Sequence, residues 1–177
     1  GVVARAPAVV EGRIARVAPV VGMVSSAFEL DLVDERVDRA RIVTVPNWTR
    51  VRIAQNRDEV RAHFEWTADD VIVLHAGNIG LKQGLEQVIE AARVAAGARP
   101  SYHFIFVGDG SQRAAIEGQA AGLANVRFLG LQPEDLYTGL LGAADVLLLS
   151  ERATTLDMSL PSKLTSYFAS GRPVLAA

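Results

Sequence analysis

From residue 70 to the last residue, short apolar runs alternate with longer stretches that carry apolar side chains at helical spacing. Residues 71–77 (Val-Ile-Val-Leu-His-Ala-Gly) read as a buried strand, and 84–96 as a helix with Leu85, Val88, Ile89, Ala92 and Ala95 on one face. The same alternation predicts strands over 102–108, 125–130 and 145–150, each followed by a helix, over 111–121, 133–143 and 161–170. Pro133 stands at the start of its helix, where a missing N–H costs nothing, and a fifth strand opens at Pro173. Strands this uniformly apolar, interleaved with helices of ten or so residues, predict an α/β fold: a doubly wound parallel sheet covered on both faces.

The first part of the chain is less regular. Val9, Val10, Arg13, Ile14 and Val17 predict a helix over 8–17 that stops at Pro19. A short strand over 20–24 follows, then Ser25-Ser26 as an N-cap for a helix over 27–36, and an alternating strand over 41–46 before the turn Pro46-Asn47. Residues 50–66 are charged and predict a short surface helix over 58–65, with Trp48 and Trp66 packing the segment down.

Composition narrows the chemistry. The 177 residues are 50% hydrophobic and 21% charged, enough for a core without staples. There is no cysteine, which removes disulfides, thiolate metal sites and thiol catalysis. The histidines are three, His63, His75 and His103, on separate segments, so no metal site is expected. His75 and His103 fall inside strands and are expected as core or sheet-edge residues, and His63 as solvated. A net charge of −2 lacks the basic footprint of a nucleic-acid binder. All the basic residues are arginines except Lys82 and Lys163.

Numbering the five strands from residue 71, the common doubly wound order is 3-2-1-4-5. Strands 1 and 4 are then neighbours, and ligands bind beyond their carboxyl ends. The loop after strand 1 is Gly77-Asn78-Ile79-Gly80-Leu81-Lys82-Gln83-Gly84, and the loop after strand 4 runs from Ser150 to Ser162 and leads into Lys163. Both lysines therefore fall at the predicted switch point. Glycines that admit a ligand, helix N-termini near Gln83 and Pro161, and two ammonium groups predict a phosphate or diphosphate site. Each glycine is equally readable as a tight turn. Gly108-Asp109-Gly110 after strand 2 is a weaker signal of the same kind. No dinucleotide fingerprint, P-loop or hydrolase elbow occurs.

With these loops in view, the chain resembles the retaining GT-B glycosyltransferases, nearest to the branch that builds colanic-acid and exopolysaccharide repeat units. The resemblance rests on Val43-Thr44-Val45-Pro46-Asn47-Trp48, Ala76 to Glu86, Phe106-Val107-Gly108-Asp109-Gly110 and Asn125 to Gly130, in that order. It continues through Ala143-Ala144-Asp145-Val146, Leu160-Pro161-Ser162-Lys163-Leu164 and Ala169-Ser170-Gly171-Arg172-Pro173-Val174. It implies two Rossmann-like domains. On this resemblance residues 1–40 are expected to be the remnant of an acceptor-binding domain, and residues 41–177 a donor domain truncated at its C-terminus.

The resemblance also implies a donor site for a nucleoside-diphosphate sugar. Gly77, Asn78 and Gly80 lie at the diphosphate, with Lys82 and Lys163 as the catalytic cations and Pro161 and Ser162 beside them. Gly108, Asp109 and Leu131 lie along the nucleoside. Asn78 stands where the family usually has arginine. The family's paired glutamates fall at Ser166 and near Asp157, so that motif is not intact. The implied reaction is sugar transfer with retention, without a metal or other cofactor, to a glycan or lipid-linked acceptor held by the missing domain. The implied location is cytoplasmic, with peripheral membrane association of the full-length protein, and the fragment alone is expected to be inactive. The alternatives are a GT-B sugar-nucleotide epimerase and a non-catalytic relative that binds nucleotide sugar.

Overall fold

A computed structural model describes residues 2–54, 56–98, 100–152 and 161–177, the first seven of these by backbone alone. The chain divides into two compact units, Gly1–Trp48 and Thr49–Ala177.

In the first unit, helix α1 (Val2–Val17) leads to strand β1 (Val21–Met23), helix α2 (Glu29–Asp34) and strand β2 (Ile42–Thr44). Ser25 does cap, its hydroxyl accepting the Ala27 N–H at 3.3 Å, but it caps a single 3-10 turn that precedes the shorter α2. β1 and β2 pair in parallel from Val21↔Ile42 to Met23↔Thr44. β2 is thus hydrogen-bonded into the first unit, which runs to Trp48. Trp48 is 69% exposed, which corrects its expected packing role.

The second unit contains helix α3 (Arg57–His63), strand β3 (Asp70–Ala76), helix α4 (Glu86–Ala95), strand β4 (Ser101–Val107) and helix α5 (Arg113–Gln119). Strand β5 (Val126–Leu129), helix α6 (Glu134–Ala143), strand β6 (Val146–Leu149), helix α7 (Lys163–Ala169) and strand β7 (Val174–Ala176) complete it. The sheet is parallel throughout, in the order β5-β4-β3-β6-β7. This is the expected doubly wound order, with the reversal between β3 and β6.

Alternation along each strand divides the core in two. Ile72, Leu74 and Ala76 of β3, with Ile105, Val107 and Leu147, meet Leu140, Leu141 and Tyr167 of α6 and α7 on one face. Val73, Phe104, Phe106 and Leu148 meet Leu85 just before α4, Val88 and Ile89 of α4 and Ile116 of α5 on the other. The α4 stripe read from the sequence is the buried one, apart from Ala95, which is only partly covered.

Helix α3 is not the solvated surface element its charges predict, because its arginines are used internally. Arg57 Nη1 donates to the carbonyls of Gly142, Ala143 and Ala144 at 2.8–3.1 Å, closing the C-terminus of α6. Arg57 and the buried Arg61 also pair with opposite oxygens of Asp145, at 2.6 and 3.1 Å. Asp145 Oδ2 accepts the Ile72 N–H at 2.8 Å, so one carboxylate ties α3 and the start of β6 to β3. Burial alone would raise the Asp145 pKa; the Ile72 amide and the two guanidinium groups outweigh it and hold the carboxyl below its ordinary range.

Candidate functional site

The site starts where β3 and β6 separate. The two strands pair only at Val73↔Val146 and Leu74↔Leu147. Beyond that register a side chain fills the gap: the fully buried hydroxyl of Tyr167 accepts the Ala76 N–H at 2.8 Å. Its proton is directed between the carbonyls of Ala76 at 3.1 Å and Leu148 at 3.4 Å. Tyr167 therefore satisfies backbone groups that sheet pairing no longer satisfies where the two strands part.

Gly77 follows at once. Its φ of +143° is one that side-chain-bearing residues rarely adopt. A Cβ there would also stand 3.4 Å from Lys163 Nζ, so the ammonium of Lys163 lies against the bare Cα of Gly77. Gly108, one strand over, has φ +133°, and a Cβ on it would collide with the Gly77 carbonyl. The two glycines let two loop backbones touch. The spacing of these glycines in the sequence is thus explained by contact between the loops after β3 and β4.

Lys163 Nζ is shielded from solvent and has no hydrogen-bond partner among the described residues. Burial lowers its pKa, and the nearby Glu151 carboxylate offsets part of that. An ammonium in this state is short of the hydrogen bonds that water would give it, and an anion restores them. Close by, His75 is almost fully buried, with Nε2 3.2 Å from the Asn78 carbonyl. Burial first, then the charge of Lys163, pushes His75 down to about 4, so it is a neutral imidazole at pH 7. His75 is a core residue, as its strand position predicts. His103 is half-buried and bonded to Asp70 at 3.1 Å, and His63 is exposed.

The rest of the glycine loop is more internally bonded than a free phosphate cradle. Gly77 N–H donates to Val107 O, Ile79 N–H to Asp109 O, and Gly80 N–H to the side chain of Gln83 at 3.1 Å. The helix N-terminus expected near Gln83 lies further on, because a 3-10 turn over Leu81–Gln83 intervenes and a left-handed Gly84 separates it from α4.

The other expected residues take these places. Lys82 is on the 3-10 turn with its side chain exposed. Asn78 is exposed and its Nδ2 reaches Gln83 Oε1 at 3.4 Å. Asp109 is exposed and its carboxylate accepts the Gly110 N–H at 2.8 Å. Leu131, beyond β5, is 83% exposed. Pro161 and Ser162 open α7, where their carbonyls accept from Leu164 and from Thr165. Ser166 is buried one turn after Lys163, its hydroxyl 3.5 Å from Thr49 Oγ1. Asp157 lies outside the described residues. The described residues contain no cluster of metal-ligating side chains and no helix long and apolar enough to cross a membrane.

The role of Tyr167 is not legible in the sequence: it acts through backbone groups of Ala76 and Leu148 distant in sequence, and no local pattern encodes such a contact.

The sequence model of the family described as "Glycosyl transferases group 1" matches residues 70–177. The chain is 33% identical over 158 residues to the "Putative colanic acid biosynthesis glycosyl transferase WcaI" of Escherichia coli, covering 85% of this chain and 38% of that protein. It is 28% identical over 155 residues to the "Probable glycosyltransferase WbjE" of Pseudomonas aeruginosa, covering 82% and 37%. The chain thus spans less than two fifths of these relatives. Its fold matches Anabaena HepE in complex with UDP and glucose, with TM-score 0.74, 19% identity, 96% of this chain and 47% of that one. It also matches WaaG, a glycosyltransferase involved in lipopolysaccharide biosynthesis, with TM-score 0.71, 20% identity, 88% and 43%.

Proposed function

Because the chain belongs to the group 1 glycosyl transferases, we propose that its second unit is the half that holds a nucleoside-diphosphate sugar, with the diphosphate at the carboxyl edge of β3 and β6. The observation that carries this reading is the sheltered ammonium of Lys163 against Gly77, without a hydrogen-bond partner among the described residues. Support comes from HepE, whose structures are described as complexes with UDP and with UDP-glucose.

In this reading the diphosphate is the leaving group. As the bond from the anomeric carbon to phosphate oxygen lengthens, negative charge grows on that oxygen. Lys163 stabilises it from a low-dielectric position and needs no reorganisation to do so; loss of one such preorganised donor typically costs about 10²–10³-fold in rate. Lys82, on the exposed 3-10 turn, supplies the second cation at the outer phosphate. The nucleoside extends past Gly108 and Asp109 towards Leu131. Transfer proceeds with retention at the anomeric carbon, to a glycan or lipid-linked acceptor held by another part of a longer protein. The named relatives are glycosyltransferases and none is an epimerase.

The test is calorimetric titration of the chain with UDP, GDP and ADP. One nucleoside diphosphate binds, and Lys163→Met weakens it at least 10-fold. The variant is no less stable than the parent, because it removes a desolvated charge. A Lys163→Met protein with undiminished affinity refutes the assignment of Lys163. Failure of all three nucleotides refutes the donor-site reading.

A further inference from the structure

The 3-10 turn that carries Lys82 is held from outside its own segment. Gly84 has φ +56° and breaks the turn away from α4. The carbonyls of residues 81, 82 and 83 each accept a hydrogen bond from the segment that follows β6. Arg152 Nε donates to Leu81 O at 2.7 Å, Arg152 N–H to Lys82 O at 2.8 Å, and Ser150 Oγ to Gln83 O at 2.6 Å. The other arm of the Arg152 guanidinium pairs with Glu86 Oε1 at 2.7 Å, in the first turn of α4. A Cβ on Gly84 would stand 3.0 Å from Arg152 Cγ, so the arginine stem lies across the glycine.

We infer that Arg152 is a positioning residue of the donor site, a clasp that fixes the Lys82 turn to the end of β6 and so sets the second cation relative to the first. The inference rests on the donor-site reading above. A planar guanidinium suits this role, because one edge meets a carbonyl while another meets a carboxylate, which a lysine ammonium does not reproduce with the same geometry. Glu86 balances its charge and holds the guanidinium at the turn. Ser150 and the left-handed Gly84 belong to the same device. The switch-point loops, far apart in sequence, are joined by it into one rigid edge.

The experiment is a double-mutant cycle on UDP affinity, measured by calorimetry on wild type, Lys82→Ala, Arg152→Ala and the double variant. Arg152→Ala is expected to weaken UDP by about 3–10-fold. The double variant is expected to bind within about two-fold of Lys82→Ala alone, because a misplaced Lys82 has little left to lose. A purely structural role gives factors that multiply, and that result overturns the inference, as does a folded Arg152→Ala protein that binds like wild type. If Arg152→Ala does not fold, Glu86→Gln takes its place in the same cycle, since it loosens the guanidinium and keeps the arginine; the same two outcomes then decide. UDP binding to wild type with an unaffected Arg152→Ala removes the clasp alone. If wild type binds GDP or ADP in place of UDP, the cycle is read with that nucleotide; binding of none of the three removes the donor reading and the clasp together.

Discussion

Tyr167→Phe deletes one oxygen atom and tests whether a side chain completes the sheet at the switch point. The ring keeps its place in the core, so nearly all the apolar burial is retained. The Ala76 N–H loses its acceptor, and the carbonyls of Ala76 and Leu148 lose their shared donor, in a place with no exposure at Tyr167. A buried donor left without a partner costs about 1–3 kcal/mol, and the lost donation to the carbonyls adds to it, so about 2–3 kcal/mol is expected. With a urea slope of ~2 kcal/mol per molar, the midpoint falls by about 1–1.5 M. The natural reporter is Trp66, which is buried in the second unit, whereas Trp48 is exposed and in the first. Unfolding followed by Trp66 emission in a Trp48→Phe background therefore reads the right unit. Because Ala76 adjoins Gly77, UDP affinity is expected to fall with the midpoint. A shift below about 0.2 M would show that the hydroxyl is not needed to satisfy the parted strands, and the account of the crevice base would fail.

Two further outcomes follow from the same region. His75 has a folded pKa of about 4 against 6.5 in the unfolded chain, so the unfolded state binds the extra proton between these values. Its contribution is complete above pH 6.5 and is lost as pH falls towards 4, by up to about 3 kcal/mol; His75→Phe should flatten the urea midpoint against pH in that window, and parallel profiles would refute it. Gly108→Ala combines a φ of +133° with a Cβ driven onto the Gly77 carbonyl, two backbones that cannot give way. It should cost about 3–5 kcal/mol by thermal or urea unfolding, while Gly130→Ala, which has open space, should stay within ~0.5 kcal/mol. Equal stabilities would remove the contact between the loops as the reason for Gly108.

The chain carried its architecture in its hydropathy. Strand-length apolar runs separated by amphipathic helices leave few ways to bury both faces of a sheet, and the observed order is the one that right-handed crossovers make common. That order, with the two lysines in a chain otherwise furnished with arginine, is what made the ends of β3 and β6 the candidate site. The charges of α3 misled because a sequence shows that Arg57 and Arg61 are ionic, not that Asp145 and the end of α6 await them about eighty residues later. Trp48 misled for a related reason: an aromatic side chain is apolar wherever it sits, and only the neighbours decide whether it is covered.

Contacts between loops could be decided by the tertiary structure alone. Lys163 reaches Gly77, Gly108 abuts Gly77, Tyr167 bridges β3 and β6, and Arg152 grips the carbonyls beside Lys82. Local pattern governs which backbone groups a segment satisfies within itself. The groups left over, at strand ends and helix breaks, are satisfied by whatever the fold brings within about 3 Å, and it is among those leftovers that this site is built.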